Sequence, residues 1–147
     1  MNKKGFTLVE VLAVVVILSI ILSLATLGVM NIRRNSLQKL VDTKISNLES
    51  SAIIYGQENQ NELIETCNVD EVNYDFCKLV NVKYLIENEY YTTNEVNSEN
   101  KKDLINNVTN KSMLCDEIQI YKKNNRVYAK AINIKSNNVN YECDLEL

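Results

Sequence analysis

The sequence predicts an α+β protein. One long N-terminal helix, with a membrane half and an amphipathic half, packs on a small three-stranded antiparallel sheet. Three observations carry this reading. Val11 to Met30 contains no charged residue. From Leu37 to Tyr55, apolar residues recur at three- and four-residue spacing. Near the C-terminus, segments suited to strands are separated by Asn pairs. The element boundaries are residues 6–30 for the membrane half, 31–57 for the amphipathic half, 58–114 for a connecting region with a short helix, and 115–147 for an antiparallel meander.

Sixteen of the twenty residues in Val11–Met30 are Ala, Val, Ile, Leu or Met; the others are Ser19, Ser23, Thr26 and Gly28. Twenty helical residues reach about 30 Å, the hydrocarbon thickness of a bilayer. A soluble core helix this apolar on every side needs a large protein around it, which 147 residues do not supply. Two general membrane readings compete. A cleaved secretory signal would use Lys3 and Lys4 as its charged start and Ser23-Leu24-Ala25 as its cut site. The apolar run is long for that, and Glu10 stands at its beginning. A plain single-pass anchor leaves Glu10 as a costly carboxylate at the edge of a spanning helix. Loop charge does not fix orientation, because Lys3 and Lys4 flank one side and Arg33 and Arg34 the other.

Beyond the apolar run, Leu37, Leu40, Val41, Ile45, Leu48, Ala52 and Tyr55 form a stripe interleaved with charged and amide residues. That is an amphipathic helix. No breaker separates it from the apolar half, so one helix from Phe6 to about Gln57 is expected, roughly 75–80 Å long at 1.5 Å per residue. Gly56 is read as its terminator. Residues 58–114 are rich in Asn and Glu. A short helix is placed within Cys77–Ile86, and Thr92–Asn110 reads as a solvated loop.

The C-terminal part is clearer. Glu117–Lys122, Arg126–Lys135 and Val139–Leu147 read as three strands. Lys123-Asn124-Asn125 and Ser136-Asn137-Asn138 supply the turns, since Asn tolerates positive φ. The apolar face of such a meander needs a cover, and the stripe of the long helix provides one.

Composition excludes several function classes. His is absent, which removes His-activated nucleophiles and His-ligated metals. Gly5, Gly28 and Gly56 are the only glycines, so no phosphate-cradling loop can be built. From Arg33 onward 14 basic residues face 18 acidic ones, a net charge of −4 that disfavours direct DNA binding. No catalytic residues, no metal and no cofactor are assigned. The chain is not read as an enzyme.

Cys67, Cys77, Cys115 and Cys143 are candidate disulfide partners. No two lie at a zinc-ligand spacing. Four cysteines allow three pairings, and sequence alone does not choose. One geometric consideration favours Cys143 with Cys67 or Cys77. Cys115 falls just before the strand Glu117–Lys122, two strands from that of Cys143, about 9.6 Å off and beyond disulfide reach.

The third membrane reading accounts for Glu10. Lys3-Lys4-Gly5-Phe6-Thr7-Leu8-Val9-Glu10, followed at once by the apolar helix, resembles the N-terminus of type IV pilins and pseudopilins. Charge, glycine, aromatic and carboxylate all fall at that family's spacing. The resemblance implies a leader at residues 1–5, cleavage between Gly5 and Phe6 by a prepilin peptidase, and N-methylation of Phe6. Phe6 and Glu10 are the implied assembly residues, the amine of one subunit neutralising the carboxylate of the next. The implied partners are identical or related subunits in a homo- or hetero-polymer, the prepilin peptidase, a membrane assembly platform with a cytoplasmic ATPase, and membrane lipid before assembly. The implied location is the cell membrane, single-pass with the head outside the cytoplasm, and then an extracellular or wall-spanning fibre. The implied fold is pilin-like. One departure is the absence of the proline that the family often carries in this helix; Gly28 is the weak point here. A pilus subunit is the leading expectation. A pseudopilin of a type II secretion or DNA-uptake (competence) apparatus shares the same N-terminus. A single-pass membrane-anchored extracellular binding protein is the alternative of another class.

Overall fold

A computed structural model describes residues 7–137 of the chain, without the side chains of 24–28. The expected leader at residues 1–5, Phe6, Cys143 and the expected strand Val139–Leu147 lie outside the described residues. The chain divides into two units, Met1–Leu37 and Gln38–Leu147. Helix α1, Leu8–Glu58, contributes to both.

In the first unit α1 carries no proline, and it runs unbroken through Gly28, the weak point of the sequence reading. In the second unit the buried stripe of α1 is narrower than the sequence suggests. Val41, Leu48, Ala52 and Tyr55 are buried, but Leu40 is exposed. The end of the helix also differs. Gly56 lies inside α1 and does not terminate it. A Cβ added at Gly56 would stand 2.6 Å from Ile120 Cγ2 and 2.8 Å from Val127 Cγ1. The glycine is there for close approach of helix to sheet.

That sheet has four described strands where the sequence reading placed three in all. They are β1, Glu65–Val69; β2, Val72–Asn81; β5, Glu117–Lys123; and β6, Arg126–Asn133. Their order is β1-β2-β5-β6, antiparallel throughout. A separate two-stranded piece pairs β3, Ile105–Asn106, with β4, Lys111–Ser112. The first two sheet strands fall in the stretch read as a connector, for two physical reasons. Their turn uses Asp70 and Glu71 at φ 52° and 65°, residues that advertise a tight hairpin poorly. Strand β2 also carries a bulge. Between the pairs Glu65↔Cys77 and Cys67↔Tyr74, two steps on β1 match three on β2. The extra residue reverses the in–out alternation halfway along and hides the period of two. The β5–β6 turn is as expected, with Asn124 and Asn125 at φ 49° and 62°.

The expected short helix is α2, Val82–Glu87, shorter and later than Cys77–Ile86. Asn81 caps it by accepting from the Tyr84 N–H at 2.8 Å. The core joins Leu48, Ala52 and Tyr55 of α1, Ile118, Ile120 and Val127 of the sheet, Leu85 of α2, and Leu104 and Met113 of the intervening loops. The segment read as a solvated loop is anchored. Nearly buried Lys44 donates to Glu95 Oε1 at 2.7 Å and to the Ile105 carbonyl at 2.6 Å. Glu95 Oε2 accepts from the Ile105 N–H at 2.7 Å.

The end of α1 is fixed by an aromatic and charged cluster. The Tyr55 ring meets those of Tyr84 and Tyr90 edge-to-face, at centroid distances of 5.5 and 5.1 Å. The Lys78 ammonium sits 5.0 Å from the Tyr55 centroid and bonds both the Tyr55 hydroxyl and Glu62. The hydrogen bond from Lys78, then that from Tyr55, holds the Glu62 carboxyl below the usual carboxylate range. A depressed folded pKa gives stability that is present above the unfolded value, about 4.3, and lost as pH falls through the folded one. Glu62→Gln is therefore expected to flatten the loss of stability below about pH 4.3, read by denaturant midpoints across that range. Superimposable acid limbs would refute the role of this pair.

Candidate functional site

The start of α1 is the site the sequence points to, and its described geometry comes from two residues, Thr7 and Glu10. Thr7 stands just before the helix and Glu10 is its third residue. The Thr7 N–H and hydroxyl both donate to Glu10 Oε2, each at 3.1 Å. In return the Glu10 N–H donates to Thr7 Oγ1 at 3.3 Å. This reciprocal arrangement is a capping box. It satisfies amide groups that a helix start otherwise leaves unpaired, and it places a carboxylate at the positive end of the helix dipole. Reading Glu10 only as an intersubunit charge misses Thr7. The signal was present as Thr-x-x-Glu immediately before an apolar run. All the local bonds use one carboxylate oxygen. A carboxylate offers about four lone-pair sites, so Glu10 retains capacity to accept from another group.

C-terminal to this box, the described apolar side chains of Val11–Leu22 are more than half exposed wherever they are large. Val29, Met30 and Ile32 are also exposed. Ser19 and Ser23 do not interrupt this surface. Their hydroxyls donate back to the carbonyls of Val15 and Ser19, at 2.7 and 2.8 Å. An exposed apolar surface of this extent needs lipid or other apolar surfaces around it. Among the described residues no helix is long and apolar enough to cross a membrane.

The cysteines do not pair as the strand-spacing consideration favoured. Cys67 bonds Cys77, with Cα atoms 5.9 Å apart across the β1–β2 hairpin. This removes both proposed partners of Cys143. Cys115 is also disulfide-bonded. It lies just before β5, as expected, but in a turn, so strand spacing does not limit its reach.

Among the described residues two carboxylates are buried, Asp103 and Asp116. Asp116 accepts from the Ser136 N–H at 2.8 Å and from its hydroxyl at 2.6 Å. Burial pushes its carboxyl above the usual range, and the Ser136 bonds oppose that shift. These contacts fasten the 3₁₀ turn Lys135–Asn137 to the residue before β5. Among the described residues no group of three or more Cys, Asp or Glu is placed to hold a metal ion.

Residues 1–26 match the family description "Prokaryotic N-terminal methylation motif". This is the prepilin motif of type IV pilins and pseudopilins. Proteins that carry this motif are structural, and the motif implies prepilin peptidase processing and subunit polymerisation in general. No curated protein matches the chain, and no solved structure does.

Proposed function

We propose that the chain is a structural subunit of a type IV pilus-like fibre. It is made as a prepilin anchored in the membrane by the Val11–Met30 helix, cleaved after Gly5, methylated at Phe6 and polymerised through that helix. The observation that carries this reading is the methylation motif at residues 1–26. The exposed apolar surface of α1 supports it, because neighbouring helices in a fibre core and lipid before assembly both cover such a surface. Glu10 then has two duties. It caps its own helix through Thr7, and it accepts the Phe6 amine of a neighbouring subunit. Imaging of surface fibres labelled through the head separates a pilus subunit from a pseudopilin. Labelled fibres extending from the cell surface support the pilus reading, and label confined to the envelope counts against it.

Processing has its own expected result. Gly5 has no side chain, so a protease can reach its backbone. Gly5→Leu is expected to leave the precursor uncut, seen as a mass that retains residues 1–5. A mature-sized product from that variant would refute cleavage at this junction.

A further inference from the structure

The turn of α1 just beyond its exposed apolar surface is cationic. From Val11 to Val41 the sequence carries three basic residues, Arg33, Arg34 and Lys39, and no acidic one. Arg33 and Arg34 are exposed, and among the described residues neither forms a salt bridge. Asn31, Asn35 and Ser36 are exposed beside them. At 3.6 residues per turn, these five polar side chains encircle the helix immediately after exposed Val29 and Met30. Length sets the level of this turn in a bilayer. α1 is continuous from Leu8, and Arg33 follows Glu10 by 23 residues, about 35 Å along the axis. The hydrocarbon core is about 30 Å thick, and the headgroup layers extend the bilayer to about 40–45 Å. With Glu10 at one edge of the hydrocarbon, both guanidinium groups reach the phosphate layer of the opposite leaflet.

We propose that Arg33 and Arg34 bind the phosphates of anionic phospholipids in the outward-facing leaflet and so hold the subunit in the membrane before assembly. The inference rests on the membrane-anchored reading of the proposed function. Arginine suits the role. Its planar fork bonds two phosphate oxygens at once, and it is more weakly hydrated than an ammonium. A zwitterionic headgroup presents the same phosphate with its charge cancelled by an ammonium. Two guanidinium groups with no carboxylate beside them therefore favour a lipid of net negative charge. Each basic residue near an anionic surface strengthens the attraction roughly fivefold. These arginines also oppose an orientation that keeps the leader in the cytoplasm, because basic residues favour the cytoplasmic side. Anionic headgroups on the far side offset that bias.

The test places the full chain in nanodiscs of equal parts phosphatidylcholine and phosphatidylglycerol and counts the lipids retained on each chain by native mass spectrometry. The chain is expected to retain phosphatidylglycerol preferentially, and less so as salt is added before release from the discs. The doubly substituted Arg33→Gln, Arg34→Gln chain is expected to lose that preference by roughly fivefold or more. Arg33→Lys, Arg34→Lys keeps the charge without the fork and is expected to retain part of it. Lys3→Gln, Lys4→Gln removes the other basic pair and is expected to leave the effect of the arginine substitutions in place. A chain that does not enter the nanodiscs overturns the membrane-anchored reading and this proposal with it. A chain that enters but retains the two lipids equally, or whose preference survives Arg33→Gln, Arg34→Gln, overturns this proposal alone. Dimers that disappear on that substitution while lipid retention is unchanged overturn it too, and assign the arginines to a second copy of the chain.

Discussion

Glu10→Ala is expected to leave cleavage after Gly5 near normal and to abolish incorporation into surface fibres. The cut lies five residues before Glu10 and does not use its carboxylate. Incorporation does use it under the proposed function. An incoming subunit without Glu10 leaves a neighbour's Phe6 amine unpaired in an apolar setting, at a cost of ~3–5 kcal/mol per contact. That is roughly two to three and a half decades in each addition equilibrium. The capping box complicates the experiment, because Glu10→Ala also removes the bonds to Thr7. Losing such a cap costs about 1 kcal/mol. Two further variants separate the duties. Glu10→Gln keeps the capping box, in which Gln serves as well as Glu, but loses the charge. It is expected to be defective, less severely than alanine. Thr7→Val loses the cap oxygen and keeps the carboxylate, and is expected to assemble. The measurement compares sheared fibres with mature subunit retained in the membrane, with no other subunit supplying the glutamate. Normal fibres from Glu10→Gln, together with failure of Thr7→Val, would make Glu10 a helix cap and remove its role in pairing.

The parts of the fold that were legible in the sequence are those whose period is uninterrupted. Helix α1 shows a charge-free run and then a stripe of three- and four-residue spacing, and both survive in the structure except at Leu40. The β5–β6 hairpin announces itself through two asparagines suited to positive φ. The β1–β2 hairpin was not legible, because its turn is made of Asp70 and Glu71 and its longer strand changes phase at a bulge. Periodicity records the mean spacing of one face, and a single inserted residue erases it. Contacts between distant segments leave still less trace. Nothing local says that Lys44 will hold Glu95, which makes an Asn-rich segment look like a solvated loop. At the candidate site the carboxylate was legible and its first partner was overlooked, although Thr7 stands three residues away. The expected disulfide pairing rested on the spacing between strands, which does not bind Cys115 in the turn before β5, and nothing local says that Cys67 and Cys77 face each other across a hairpin.

Gly56 gives the sharpest contrast between local preference and packing. It sits in the last turn of α1, where helix propensity alone says that alanine should be better by roughly 0.5–1 kcal/mol. Packing says the opposite. The methyl of an alanine would stand 2.6 Å from Ile120 Cγ2 and 2.8 Å from Val127 Cγ1, when carbon atoms favour about 3.5–4.0 Å. Both neighbours are β-branched, with little freedom at χ1, and Ile120 is fully buried beneath the helix. Relief requires α1 to lift from the sheet or two core side chains to leave their rotamers, and overpacking of this kind costs about 1–3 kcal/mol. Two simultaneous overlaps place Gly56→Ala toward the upper part of that range, so packing prevails over propensity. The expected result is a net loss of about 1–2 kcal/mol, measured by denaturant unfolding of a chain that begins at Asn35 and lacks the apolar half of the helix. Gly56→Leu is expected to lose more, because its additional carbons meet the same wall. Val127→Ala removes one of the two opposing methyls. In the Gly56→Ala background it is therefore expected to cost less than it does alone, a coupling on the order of 1 kcal/mol. Unchanged or raised stability of Gly56→Ala, or strict additivity with Val127→Ala, would show that the helix and sheet do not meet this closely and that Gly56 acts on the backbone alone.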